Sequence, residues 1–548
     1  MSLRAGVMGS VPVETARVAR AAFPKGSPAM RLRDALGPLF RDAQFVDLFP
    51  KRGKPGLSPA LLTMVSVLQY CEGLTDRQAV QAMAGRIDWK YALGVELTDT
   101  GCDFSVLSEF RDRLVAQDAG VRILDTILDA AREKGLVKKR GRARTDSTHV
   151  VGAIRQINRL GLVGESLRAA LEQLADAAPE WLTEHADLDW FDRYGRRIEM
   201  FQLPAKDTER AARAARVGAD GMRLWQLLTS TQAPAGLAHL ERVELLRRVW
   251  VQEYHVTDGI VVMRDPKDRP PAGVRLVSPY DPDARTGKKR HTYWDGYTLH
   301  VTETCDPGLP RLVTHVATTS ASVTDVETTE VVHEGLSGRG LLPGEHVVDA
   351  GYVTAHTLTR SAARGVRVVG PVLPDTTWQT TTARGYAAAD FRVDWGAGVV
   401  TCPRGKHSTG WAPRPNRHGT PTISVSFPAE ACRPCPVREL CTTSVWKGRT
   451  LTLLPRPEHE ALTRARLAQR TDTWQDDYRS RAGIEGTLNQ AVNTLGARRA
   501  RYRGLAKTHL QHHFTAAALN FIRIDNHLTG RPLAPTRVST LAALKPAA

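Results

Sequence analysis

The stretch EHVVDAGY, residues 345–352, decides the fold. A short apolar run ends on Asp349, and Gly351 follows at once. Helical spacing then runs from Ala355 to Arg364 and stops at Gly365, and VRVVGPVL (366–373) reads as a second strand. A strand, a helix and a strand in so few residues predict a βαβ unit, in which two parallel strands are covered by their crossover helix. A carboxylate at the C-terminal end of such a strand, beside a glycine, stands where open α/β sheets place ligands.

Upstream, TYWDGYTLHVTE (292–303) and LVTHVATTSA (312–321) read as further strands. Before them VKKRGRARTDSTHVVGA (137–153) passes from a basic run into a short strand that carries Asp146 among Thr145, Ser147 and Thr148. The first 135 residues are helical in pattern. Ser58-Pro59 opens a helix that Gly73 ends, Thr75 with Gln78 forms a capping box, and Asp103 caps a helix through Phe110 and Leu114. Such a set suits either a DNA-reading helical module or a plain bundle. Between Asp146 and the second strand, Leu160–Leu174, Trp181–Arg196 and Thr208–Leu228 are long, charged and amphipathic, which predicts a helical insertion. Residues 374–455 are rich in strand and turn formers, a helical region covers Glu458 to His527, and a Pro- and Ala-rich tail follows.

In the late helical region Tyr478, Arg481 and Glu485 fall at i, i+3 and i+7, one polar stripe on a helix. Ile484, Leu488 and Leu495 form an adjacent apolar stripe, so a helix could pin Glu485 at the mouth of a sheet.

Composition narrows the function class. A chain of 548 residues exceeds one core and predicts roughly three to four domains. A net charge of +17 and a pI near 9.8 favour polyanions, because neutralising phosphates releases counterions. Arg outnumbers Lys, which suits bidentate phosphate contacts and would also follow from GC-rich coding. No run approaches the roughly 18 apolar residues of a membrane span, and residues 1–23 do not read as a secretory signal. The expected location is the cytosol.

Seven cysteines argue against a disulfide framework in that compartment. Cys432, Cys435 and Cys441, with Cys402 upstream, could form a closed structural Zn²⁺ site; buried free thiols are the other reading. His509, His512 and His513, at i, i+3 and i+4, could ligate a metal, but the surrounding Leu510, Phe514, Leu519 and Phe521 favour a helix packed in the core. The run Arg498, Arg499, Arg501 and Arg503 follows the Glu485 helix and is expected to contact phosphates.

The order Asp on a strand, Asp-Ala-Gly-Tyr after a strand, then Tyr-x2-Arg-x3-Glu on a late helix resembles the RNase H-like DDE transposases of bacterial insertion sequences. LSPALLTMVSVLQYCEGLTDRQAVQAM (57–83), FSVLSEFRDRL (104–114) and WDGYTLH (294–300) are similar to other blocks of that family. DSTHVVGAIRQINRLGLVGESLRAAL (146–171) and ACRPCPVRELC (431–441) resemble the insertion-sequence family numbered 1182. The family carries a Lys seven residues after the Glu; here Val492 stands there, and Lys507 or the arginine run is the substitute.

The resemblance implies an RNase H-like mixed sheet flanked by helices. Its parts would be a helical N-terminal DNA-binding domain (1–135), a catalytic core (136–154 and 285–375), a helical insertion (155–284), a strand-rich Cys-bearing insertion (376–456), a helical end of the core (457–530) and a tail (531–548). It implies catalysis by Asp146, Asp349 and Glu485 holding two Mg²⁺ ions, with Mn²⁺ as a substitute, because two divalent cations about 3.5–4 Å apart stabilise the attacking and leaving oxygens. Tyr478, Arg481, the arginine run and Lys507 would support DNA. The implied partners are the terminal inverted repeats and target DNA, held by a homodimer, in a bacterial, nucleoid-associated setting. A catalytically inactive DNA-binding derivative and a nuclease with the same core are the alternatives.

Overall fold

A computed structural model of the chain describes residues 2–3, 9–199, 201, 203–382, 384–417, 419–532 and 544. The proposed tail at 531–548 lies almost wholly outside the described residues.

Along the chain, α1 (Val13–Ala22), α2 (Pro28–Leu36), α3 (Pro59–Glu72), α4 (Asp76–Gly85), α5 (Ile87–Leu93), α6 (Ser105–Ala116) and α7 (Val121–Glu133) come first. Strand β1 (Arg142–Val151) follows, then α8 (Arg159–Ala177), α9 (Pro179–His185), α10 (Leu188–Tyr194), α11 (Asp207–Leu228) and α12 (Glu241–Glu253). Next come β2 (Tyr254–Thr257), β3 (Ile260–Met263), β4 (Arg285–Lys289), β5 (Thr292–Thr304) and β6 (Val313–Ser320). After α13 (Asp325–Ser337), β7 (Glu345–Val348), α14 (Ala355–Ala363) and β8 (Arg367–Val369) lie α15 (Trp378–Thr381), β9 (Arg392–Asp394) and β10 (Val399–Thr401). The remainder is β11 (Gly410–Pro415), β12 (Pro421–Ser426), α16 (Ala429–Cys432), β13 (Thr450–Leu453), α17 (Arg456–Ala468), α18 (Asp472–Arg479), α19 (Gly483–Asn489) and α20 (Leu505–Leu528). No helix among the described residues is long and apolar enough to cross a membrane.

The chain forms two compact units. The first comprises Met1–Lys138, Asp146–Val323 and Ile484–Ala548; the second comprises Lys139–Thr145 and Thr324–Gly483. Strand β1 is divided between them.

In the first unit α20 is the organising element. It is free of Gly and Pro, and its Phe514, Ala517, Leu519 and Phe521 are buried against α3, α7 and β6. The Tyr70 ring stacks on Phe514 at 5.3 Å, and Arg31 makes a two-pronged pair with Asp525 at 2.7 Å. The caps expected at Ser58, Gly73 and the Thr75–Gln78 box are all present. Strand β5 is the antiparallel neighbour of both β4 and β6, and the end of β1 meets it where the Gly152 N–H donates to the Asp295 carbonyl at 2.9 Å. Gly296 is required there: its φ is +150°, and a Cβ would stand 2.3 Å from the Val150 carbonyl oxygen.

The insertion at 155–284 has a core of its own, built on Val163, Trp190, Leu224 and Val249. Two expectations are corrected there. The helix drawn from Trp181 to Arg196 is two short helices, α9 and α10, parted at Ala186-Asp187. The insertion is also not all helical, because β2 and β3 form an antiparallel hairpin. Its turn is Asp258-Gly259, both at positive φ (50° and 77°), the turn geometry that matches the twist of the flanking strands.

In the second unit residues 142–145 of β1 pair in parallel with β7, and β7 pairs in parallel with β8, with α14 as the crossover. The predicted βαβ unit is present. Arg142 and Arg367 both bond Glu345 and Asp477, which ties α18 to the strands. Trp474 is buried on Val347 and Val369 and stacks on Tyr478 at 5.0 Å; it is a core residue. The Cys-bearing region holds the β9–β10 pair and the three-stranded sheet β11–β12–β13. Its apolar core is small: Phe391, Val400, Val425, Phe427, Leu451 and Leu453.

Candidate active site

Asp349 leaves the end of β7 and caps the short 3-10 turn Ala350–Tyr352, its Oδ1 accepting the Gly351 N–H at 2.8 Å. A Cβ at Gly351 would lie 3.0 Å from Asp349 Oδ1 and 3.0 Å from Asp325 Oδ2. Gly351 therefore leaves an open cradle between two carboxylates. Asp325, the first residue of α13, has no periodic signal that would have singled it out.

Beneath Asp349 runs a buried polar chain. His346 bonds Thr145 Oγ1 through Nε2 at 2.6 Å and His333 Nε2 through Nδ1 at 2.8 Å, and His333 Nδ1 reaches Ser361 Oγ at 3.4 Å. One consistent assignment has the Thr145 hydroxyl donate to His346, His346 to His333 and His333 to Ser361, with one proton per ring. Burial pushes His346 well below the usual imidazole range, with His333 adding to it. Burial likewise lowers His333 to about 4. Both rings are neutral at physiological pH, and they lock β1 to β7 next to the two Asp positions.

Asp146 is buried on β1. Thr148, two residues on and on the same face, accepts a hydrogen bond from Arg498 Nη2 at 3.1 Å. The arginine run is laced to β1 by backbone bonds as well: Val151 N–H to the Arg498 carbonyl at 2.8 Å, and Ala500 N–H to the Val151 carbonyl at 2.9 Å. The run is thus an irregular segment between α19 and α20, where a continuous helical region was expected. Arg498, Arg499 and Arg503 are exposed. Arg501 turns inward, its guanidinium over the Tyr70 ring at 4.5 Å and donating to the Leu74 carbonyl. Lys507 pairs with Asp112 at 2.7 Å.

Glu485 is exposed on α19. The stripe Tyr478, Arg481 and Glu485 does not sit on one α-helix: α18 ends at Arg479, Ser480–Ala482 is a 3-10 turn, and α19 starts at Gly483. The cause is Arg144, which is buried and donates to the Ser480 carbonyl at 2.5 Å. A Cβ at Gly483 would run into its guanidinium. Further along α19, Thr487 bonds Glu303. Arg523 donates to Glu303 and to Thr487, both at 2.7 Å. Glu303 is fully buried, so this pair anchors the Glu485 helix to β5 and α20.

Asp146 and Glu485 belong to the first unit and Asp349 to the second. Among the described residues no three His, Cys, Asp or Glu side chains form a preassembled group for a metal ion. Of the three α20 histidines expected in the core, His512 and His513 are buried and His509 is half-buried: His512 bonds Thr318 Oγ1 at 2.7 Å, and His509 bonds both Thr318 and His513 at 3.1 Å.

Two stretches match known protein families. Residues 401–525 match a family described as a transposase DDE domain. Residues 17–113 match one described as a transposase domain (DUF772). No curated protein and no solved structure matches the chain. The mixed α/β fold and the two matches support a DDE transposase, a class of enzyme that cuts DNA and transfers its strands.

Proposed function

We propose that the chain is a DNA transposase that cuts the ends of an insertion sequence and joins them to target DNA through Asp146, Asp349 and Glu485. The observation that carries this is a register. In the parallel pairing of β1 and β7 the last partners are Thr145 and Val348, and Asp349 follows β7 directly as the cap of the turn that carries Gly351. Asp349 therefore leaves a parallel strand at its C-terminal end, where open α/β sheets place ligands. The antiparallel β5–β6 pair of the first unit, and the parallel pairing of residues 142–145 of β1 with β7 and of β7 with β8 in the second, support an RNase H-like reading of the core. Glu485, on a helix anchored by Glu303 and Arg523, supplies the third acid.

Three carboxylates are the hard oxygen donors Mg²⁺ or Mn²⁺ prefers, and the cradle that a Gly351 Cβ would fill leaves room beside Asp349. When bound, the metal supplies Lewis-acid stabilisation of the attacking and leaving oxygens. The chain's own part is positioning. Arg498 and Arg499, exposed beside the Asp146 strand, and the exposed Arg503 bind the phosphate backbone, while the His346 chain and the Arg142–Glu345 network fix the strands. Water attacks first; the freed 3′-hydroxyl is the second nucleophile. The helical segment 1–135 reads the terminal repeats, and two ends held at once call for a dimer on DNA.

Supplying the protein with pre-cut element ends, a plasmid target and Mg²⁺ tests the reading. Covalently joined product is expected. Cleavage of intact ends without any joining would instead identify a nuclease.

A further inference from the structure

The strand-rich region of the second unit contains chemistry that DNA cutting does not use. Cys402, Cys432, Cys435 and Cys441 all line one cavity of about 40 Å³. The other walls are Tyr386, Phe391 and Phe427, with Arg404, Lys406, Arg438 and Arg449 around the rim. The space is far too small for an organic ligand and right for an ion. None of the four thiols is in a disulfide.

Backbone geometry points the same way. Cys402 starts a tight turn in which Gly405, at φ +73°, donates to the Cys402 carbonyl at 2.8 Å. That turn directs the Lys406 N–H onto the Cys402 sulfur at 3.3 Å. The Cys441 loop is fastened by Arg449, which donates to the Cys441 carbonyl at 2.7 Å, and by Gln379, which donates to the same oxygen at 3.0 Å.

We propose that Cys402, Cys432, Cys435 and Cys441 bind one structural Zn²⁺, which closes the β9–β13 region around its six-residue core. Soft thiolates select zinc over the hard cations that carboxylates bind, and four protein ligands leave no open position for catalysis. Binding draws the four sulfurs onto a common centre and releases four protons, giving a tetrathiolate of net charge −2. The four cationic side chains on the rim offset that charge. The site is needed because so small a core cannot order the segment alone. It stands independently of the carboxylate chemistry.

Metal analysis of the full-length purified protein tests this. About one zinc per chain is expected, with Cys432→Ser and Cys435→Ser losing it and Cys71→Ser keeping it. Exchange with Co²⁺ gives a readout that needs no variant: the visible absorption of tetrahedral thiolate-bound cobalt is expected. Substoichiometric zinc with all seven thiols freely reactive would overturn the proposal, and so would iron in place of zinc. Should the Cys→Ser variants fail to fold, the cobalt spectrum of the unaltered chain decides alone.

Discussion

The βαβ region and the Cys-bearing region belong to the same unit and are held by different physics. The first has a parallel ladder, a buried histidine chain and an ion network in which two arginines share two acids. The second has two small sheets and six buried apolar residues. One is over-determined by contacts between distant parts of the chain. The other closes on a cavity of cysteines. The contrast teaches that the strand end carrying Asp349, the proposed catalytic acid, is fixed by redundant bonding, whereas the small insertion has little core of its own and is proposed to rest on a single staple.

That contrast can be broken from either side. Phe427→Ala removes a buried ring from the smaller core and should cost about 4 kcal/mol. Hydrogen exchange should rise across residues 386–453 and leave β7 and β8 protected; loosening of both together would show that the two regions share one support.

Acid should act on the βαβ side. His333 and His346 are held neutral in the folded chain and titrate near the ordinary 6.5 when unfolded. Folded-state values that are depressed mean that stability is complete above about pH 6.5. It falls as the pH drops toward 4, because the unfolded chain takes up protons that the folded chain refuses. His333 alone, lowered to about 4, accounts for about 3 kcal/mol over that window. Urea unfolding of the wild type and His346→Asn at pH 7 and pH 4.5 checks it: the variant should be less stable at pH 7 and lose less on acidification. An equal loss in both would remove the histidine chain from the account.

Much of the βαβ region is legible because its signals are local. Asp349, Gly351 and Gly365 punctuate an apolar run, a helix and a second run at the spacing such units need. The hairpin β2–β3 is equally written in the residues, since Asp258-Gly259 stands between the β-branched runs Val256-Thr257 and Ile260-Val261-Val262. The charged helices on either side of the hairpin drew its residues into an all-helical reading. Other features have no local signal. The turn that splits the Tyr478–Glu485 stripe depends on Arg144, over three hundred residues away. The anchor of the Glu485 helix depends on Glu303 and Arg523. Arg501 looks like its neighbours and is taken inward by Tyr70 and Leu74. Asp325 reaches the Asp349 cradle only through tertiary packing. For the acids themselves the sequence supplies candidates and an order, and the β1–β7 register puts Asp349 directly after the end of a parallel strand.

The most direct test of the central claim is the rate of Mg²⁺-dependent cleavage at the element's ends by Asp146→Asn, Asp349→Asn and Glu485→Gln, each shown folded by its melting curve. Each amide keeps the size of its acid and removes a metal-binding charge. Loss of at least about 10³-fold in rate at unchanged stability is the predicted result. Cleavage by Asp349→Asn at a rate near that of the wild type would contradict the account.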